Sequence, residues 1–257
     1  MVDFQKDVNV FATRRLAGSS AGKEVERCIV KLQDSQPEIR IIFAAAPSQD
    51  GMLGYLANSA LIKWEKVVAF HMDEYIGLPS SSSRLFASYL KDNLFSKVPL
   101  KEIHLLNTAG DVEKEMVHYA EMLNQAPIDI VCLGIGENGH IAFNDPPVAD
   151  FYDPKTIKAV ELEDACRIQQ VNDGCFPTLG EVPTQAVTLT IPTLMRGKHL
   201  FCVVLGENKS EAVKNALIGP VSTACPASIL TTHPDCTFYF NNSAVKEIPD
   251  LKENILK

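Results

Sequence analysis

The sequence predicts an α/β fold: a three-layer α/β/α sandwich around a mostly parallel, Rossmann-like central sheet, with residues 1–257 as one domain. Two observations lead there. Short apolar runs rich in Ile, Val and Phe recur near residues 39–46, 66–71, 128–135 and 199–205, as expected of strands buried on both faces. Segments with helical spacing of apolar residues lie between them, and such alternation calls for crossover connections.

Residues 9–34 read as helical, with Phe11, Leu16, Val25, Ile29 and Leu32 facing a core and Gly18-Ser19-Ser20 a candidate break. Pro37 ends that segment, and a first strand over 39–46 runs into the turn Pro47-Ser48-Gln49-Asp50-Gly51. A helix follows through Tyr55, Leu56 and Leu61. Two readings of the turn stay open. Ser48 or Asp50 is simply a helix cap, or the free N–H groups at the helix start, with Ser48 and Gln49, bind an anion such as phosphate.

The second strand, 66–71, delivers Asp73 and Glu74 to a loop at the top of the sheet. Ser80 to Ser83 is placed to cap a helix over 84–95, a short edge strand lies near 103–107, and an amphipathic helix covers 111–125. Beyond Pro147 the expected order is a loop at 148–153, a strand at 155–161, a helix at 162–171 and a flexible or lid-like connection at 172–183. Strands at 186–191, 199–205 and 236–241 alternate with helices near 192–196, 207–218 and 226–232, and the charged tail beyond Lys246 reads as surface-lying.

A net charge of −8 argues against nucleic acid as a partner, since phosphate backbones are held mainly by Lys and Arg. It leaves a small phosphorylated substrate open, because one pocket needs only a few local donors. No apolar run approaches the length of a membrane span, and Met1 to Asp7 lacks the apolar core of a signal peptide. Seven cysteines without a Cys-x-x-Cys pair read as free thiols of a reducing compartment, the cytoplasm, and not as a zinc cluster; no metal or cofactor is expected. A homo-oligomer is compatible with all of this.

The chemistry concentrates where the strand at 128–135 ends. Gly134 and Gly136 let the backbone turn and approach a ligand, and Asn138, His140 and Asp145 follow directly. Polar groups beyond the carboxyl end of a strand are where open α/β sheets bind ligands. His140 has a side chain that exchanges protons near neutral pH, and Asp145 is the nearest carboxylate able to orient it.

The run from Cys132 to Pro147, with Asn138-Gly139-His140-Ile141-Ala142-Phe143-Asn144-Asp145-Pro146 at its heart, resembles a signature of the glucosamine-6-phosphate deaminase (isomerase) family, whose superfamily includes 6-phosphogluconolactonases. The run His71-Met72-Asp73-Glu74-Tyr75-Ile76-Gly77-Leu78-Pro79 is similar to the family's other signature, and Val203-Val204-Leu205-Gly206-Glu207-Asn208-Lys209 to a third, weaker one. The resemblance implies an enzyme, classed as a hydrolase, that converts glucosamine or galactosamine 6-phosphate to the ketose 6-phosphate and ammonia. It implies that Asp73 moves the C2 proton, that His140 opens the sugar ring with Asp145 beside it, and that Lys209 binds phosphate.

Asn138 stands where some members carry Asp, and Asp145 stands where the family has Glu. One methylene shorter, Asp145 is expected to need a loop shift or a bridging water to reach His140. The family's phosphate-binding Arg, in an Asn-Ser-Arg run, has no match in Cys166-Arg167-Ile168-Gln169-Gln170, which leaves Arg167 as a candidate. The competing readings are a 6-phosphogluconolactonase, a sugar-phosphate sensor without turnover, and a dinucleotide-binding dehydrogenase. The last lacks a Gly-x-Gly-x-x-Gly turn after its first strand.

Overall fold

The computed structural model describes residues 7–252. Its strands are β1 (Val8–Phe11), β2 (Ile39–Phe43), β3 (Val67–His71), β4 (Asp73–Tyr75), β5 (Glu102–His104), β6 (Ile130–Leu133), β7 (Ile157–Glu161), β8 (Gln185–Leu189), β9 (His199–Val204) and β10 (Cys236–Asn241). Seven of them pair, all parallel, in the order β1-β10-β9-β6-β2-β3-β5. The helices are α1 (Arg14–Gln33), α2 (Asp50–Ala57), α3 (Phe86–Leu90), α4 (Val112–Asn124), α5 (Asp164–Asn172), α6 (Ile191–Met195), α7 (Ser210–Ile218) and α8 (Pro249–Lys252).

Successive side chains on a strand point to opposite faces, so each strand feeds two cores. Ile39, Ile41 and Phe43 of β2 pack with Val25 and Ile29 of α1 and Leu53 and Leu56 of α2. Ile42 packs on the other face with Met116, Tyr119 and Leu123 of α4 and Val213 of α7. The three expected layers are therefore present. Arg40, buried within β2, donates to the carbonyls of Met122 (2.6 Å) and Leu123 (3.3 Å), placing a cation at the carboxyl end of α4 where the helix dipole favours it.

A second sheet was not foreseen. β4, β8 and β7 pair antiparallel, so Asp73 and Glu74 lie on a strand rather than a loop, with Asp73 opposite Thr188. Beneath this sheet Tyr75, Phe86, Phe143, Val160 and Phe176 form a third apolar cluster. Three residues of alternating pattern are too few to announce a strand against the signal of the run before them.

Several boundaries differ from expectation for identifiable reasons. The segment 9–34 opens with strand β1, and α1 then runs unbroken through Gly18. That glycine lets two helices touch: a Cβ there would sit 2.9 Å from Gly51 Cα of α2. Leu16 is exposed on α1, and α2 stops at Ala57, short of an exposed Leu61. Between residues 172 and 183 the chain is tied down, with Phe176 and Val182 buried and a 3-10 turn at Leu179–Glu181. In the tail Ile248 and Leu251 are core residues. The readings made for residues 1–6 and 253–257 lie outside the described residues. No helix among the described residues is long and apolar enough to cross a membrane.

The helix expected over 84–95 is α3 followed by one π-helical turn, Lys91–Phe95. Its first turn is capped not by the serines but by Glu74, whose carboxylate accepts from the N–H groups of Tyr75 (3.0 Å), Phe86 (3.1 Å) and Ala87 (2.9 Å). Burial pushes Glu74 up to about 7, against the pull of those three donors. Replacing it by alanine orphans three buried N–H groups, each costing about 1–3 kcal/mol less whatever water recovers. Glu74→Ala is therefore expected to lose about 2–5 kcal/mol of unfolding free energy in urea titrations; a loss under 1 kcal/mol would show that the cap is dispensable.

Candidate active site

Four strands, β9, β6, β2 and β3, end at one cleft. It opens at their carboxyl ends, where the chain leaves β2 toward β3 on one side and β6 toward β9 on the other, the switch point at which parallel sheets bind ligands. The walls are Ala44 to Ser48 after β2, Met72 and Asp73 after β3, Gly134 to Gly136 after β6, and Leu205, Asn208 and Lys209 after β9. Arg14 from α1, Gln169, Gln170 and Asp173 from the α5 region, and Phe86 and Phe143 complete it.

His140 is held by a triangle of bonds. Its Nδ1 lies 2.8 Å from Asn138 Oδ1 and 3.0 Å from Asp145 Oδ1, and Asn138 Nδ2 donates to the same Asp145 oxygen at 2.9 Å. The His140 backbone N–H also donates to Asn138 Oδ1, at 3.1 Å. Both neighbours of Nδ1 are acceptors, which places the ring proton on Nδ1 and leaves the Nε2 lone pair for the cleft. Asp145 reaches the ring directly, so neither the bridging water nor the loop shift is needed. Burial raises the Asp145 carboxyl, but the bond and charge of His140 and the Asn138 amide together hold it below the usual carboxylate range.

The loop that carries this triangle is fixed from both sides. Gly136 donates to the His140 carbonyl (2.9 Å), and a Cβ on Gly136 would lie 2.2–2.4 Å from three ring atoms of His140. Phe143 N–H donates to Thr188 Oγ1 (3.0 Å), while Asn144 Nδ2 donates to the carbonyls of Ile141 (3.0 Å) and Leu189 (2.9 Å). Ala142, between them, carries a left-handed φ of 48°, a strained conformation for a residue with a side chain and a frequent mark of functional loops.

Asp73 lines the same cleft, buried, with no side-chain hydrogen bond among the described residues. Burial, and then the adjacent Glu74, push its carboxyl well above the usual range. His71, two residues earlier, serves structure instead: burial lowers it to about 3, and its Nε2 accepts from Leu106 N–H at 2.8 Å.

Lys209 is the second group poised without a hydrogen bond. Its ammonium is buried and unbonded, with Glu137 Oε1 at 3.8 Å and Asp173 Oδ2 at 3.9 Å. Burial lowers its pKa while those two carboxylates oppose the shift. Ser48 lines the cleft nearby and accepts from Gln49 Nε2 at 2.9 Å.

Two expected residues are elsewhere. Gln49 is fully buried behind the cleft, its amide near the carbonyls of Leu133 and Val203, where it ties strand ends together. Arg167 bonds Asp164 (2.9 Å) and the carbonyls of Leu179 (2.9 Å) and Val182 (3.1 Å), so it anchors the 172–183 segment and does not reach the cleft. Asn138 stands behind His140 and bonds its ring and backbone. Sequence reasoning missed Arg14, Asp173 and the aromatic wall of Phe86 and Phe143. Phe143 lies within the Cys132–Pro147 run but carries no polar group to single it out, and Arg14, Asp173 and Phe86 lie outside the signature runs, so only the fold brings them together.

Among the described residues one group offers clustered metal-ligating atoms: His140, Asp145 and Cys166, with one donor atom each inside 4.8 Å. His140 and Asp145 already bond each other. Burial, and then the Asp145 charge, raise the Cys166 thiol well above its usual range, so it is held neutral.

A family model described as glucosamine-6-phosphate isomerases/6-phosphogluconolactonase matches residues 13–238. The glucosamine-6-phosphate deaminase of Listeria welshimeri is 41% identical over 231 residues, 90% of this chain and 95% of that protein. The Listeria monocytogenes enzyme of the same name is 37% identical with the same coverage. A solved structure described as a monomeric glucosamine-6-phosphate deaminase superposes with a TM-score of 0.83 at 27% identity, covering 93% of this chain and 99% of that one.

The bonding around His140 has a spectroscopic consequence. Nitrogen-15 shifts of the imidazole in the unliganded protein are expected to show Nδ1 protonated and Nε2 bare. Asp145→Asn removes the charged acceptor and should redistribute the tautomers. A native ring protonated on Nε2 would contradict the geometry.

Proposed function

The chain belongs to the glucosamine-6-phosphate isomerase/6-phosphogluconolactonase family, and from that premise we propose that it converts a hexosamine 6-phosphate, in the first place glucosamine 6-phosphate, to the ketose 6-phosphate and ammonia. One observation carries the reading. Asp73, a carboxylate for which lactone hydrolysis has no separate use, shares the cleft with His140 and has no hydrogen bond of its own.

In this reading the phosphate rests on Lys209 and the turn around Ser48. Nε2 of His140 takes the proton of the anomeric hydroxyl and returns it to the ring oxygen, opening the pyranose to an aldehyde. Asp145 stabilises the imidazolium formed on the way. Asp73 then removes the C2 proton, and the electrons of that bond form C1=C2 while O1 takes the negative charge. The same carboxyl returns the proton to C1 as the nitrogen lone pair closes a C2=N bond, and O1 takes one proton from solvent, which the water that next adds to C2 releases again. Water adds to C2 of this iminium and ammonia leaves, so one water is consumed and the deamination is hydrolytic.

The apolar wall of Phe86 and Phe143 limits water during the proton transfers. The C4 epimer, galactosamine 6-phosphate, differs at a centre that none of these steps involves and is the natural second substrate to assay. Seven free cysteines fit a reducing cytoplasm as the compartment.

Ammonia release from a panel of hexosamine 6-phosphates, with 6-phosphogluconolactone hydrolysis alongside, tests the reading; hydrolysis of the lactone alone overturns it. Asp73→Asn is expected to lower kcat by about 1000-fold or more while an unreactive sugar phosphate still binds, and near-normal turnover removes Asp73 from the chemistry. The sign of the pH dependence also follows. Asp73 must be ionised to accept a proton, and its pKa is raised, so kcat/KM should climb with pH through that raised value. A plateau already reached at pH 5 speaks against Asp73 as the base. Lys209→Ala should raise KM for the phosphorylated sugar about 10- to 100-fold, and an unchanged KM would place the phosphate elsewhere.

A further inference from the structure

Charge balance around Lys209 does not close with the groups so far assigned to the phosphate. A phosphate monoester carries roughly −1.5 to −2 at neutral pH. Lys209 offers one positive charge, and its ammonium already has two carboxylates, Glu137 and Asp173, within 3.8 and 3.9 Å. Alone, that corner would repel a dianion.

Two basic side chains line the cleft, Lys209 and Arg14. Arg14 sits at the start of α1, which is capped by Thr13 Oγ1 accepting from Leu16 N–H at 3.2 Å. Its Nη1 makes one long bond, 3.4 Å to the Leu205 carbonyl, and lies over Gly206, where an added Cβ would be 3.1 Å away. The remaining guanidinium donors have no protein partner among the described residues. The first turn of α1 holds two arginines, Arg14 and Arg15, and no acid, the reverse of what a helix dipole favours. A bound anion would remove that conflict. The unbonded ammonium of Lys209, itself 6% exposed, is independent evidence that an anion belongs at this corner.

We propose that Arg14 is the second cation of the phosphate site, swinging from the Leu205 carbonyl onto the phosphate oxygens and offsetting the excess carboxylate charge beside Lys209. The proposal rests on reading the cleft as a 6-phosphate site. It replaces Arg167, which the fold commits to the 172–183 segment. A guanidinium suits the task because its planar fork matches two phosphate oxygens at once, and an exposed position lets it follow the ligand.

The test compares native protein, Arg14→Ala and Arg14→Lys. Arg14→Ala should raise KM for glucosamine 6-phosphate about 10- to 100-fold, with the loss falling on KM more than kcat. Competitive inhibition by inorganic phosphate should weaken by a similar factor. Arg14→Lys should recover part of both, since it restores charge without the fork. An unchanged KM and unchanged phosphate inhibition in Arg14→Ala overturn the proposal. Should the native protein release no ammonia at all, the functional reading fails, and protection by inorganic phosphate against thermal unfolding then decides Arg14 separately. Protection of the native chain that Arg14→Ala lacks supports Arg14; equal protection of both, or none of either, refutes it.

Discussion

The contact between the Asp145 carboxylate and His140 Nδ1, 3.0 Å long and wholly buried on the aspartate side, is the constraint on which the cleft depends. A charged acceptor under the ring fixes its tautomer, and everything around it keeps the two groups at that distance. Asn138 bonds both groups at once, Gly136 makes room for the ring, and Thr188 and Leu189 of β8 hold the loop by its backbone and by Asn144. β8 is also the partner of β4, with Thr188 opposite Asp73. One strand therefore sets both the histidine loop and the second acid, which explains why a small antiparallel sheet accompanies the large parallel one.

Two groups in the cleft are costly to keep. The Lys209 ammonium, buried without a hydrogen bond, runs against the rule that interior polar groups are satisfied, and the Asp73 carboxyl is buried with no hydrogen bond among the described residues. Their desolvation appears as a lowered Lys209 and a raised Asp73. Stability given up in this way is a common signature of sites shaped for a ligand that completes them. Glu74 differs from Asp73 by one position and has three N–H donors. Adjacent acids thus divide the work, one capping a helix and one facing the cleft.

How much of this was legible in the sequence depended on the range of the interaction that decides each feature. The parallel strands and most helices were visible because burial on both faces leaves a local apolar pattern. The histidine loop was visible because its residues lie within ten positions of one another. The break expected at Gly18 was wrong because the glycine answers to Gly51, in another helix. Arg167 was misplaced because its partners, Leu179 and Val182, follow by more than a helical turn. Arg14 and Asp173 gave no local signal at all, since their relation to Lys209 exists only after the sheet has formed. Asp145 presented a third kind of difficulty. Its short side chain suggested a gap, and only the loop path shows that the carboxylate already touches the ring.

The central claim is that Asp73 carries one proton from C2 to C1 of an amino sugar phosphate in a cleft poor in water. Glucosamine 6-phosphate deuterated at C2 tests this most directly, with ammonia counted and the ketose 6-phosphate examined by proton NMR at the earliest turnovers. Ammonia and ketose in equal amounts, with a measurable fraction of the deuterium at C1, is the expected result. Failure to release ammonia, or ketose whose C1 never carries the label, would contradict it.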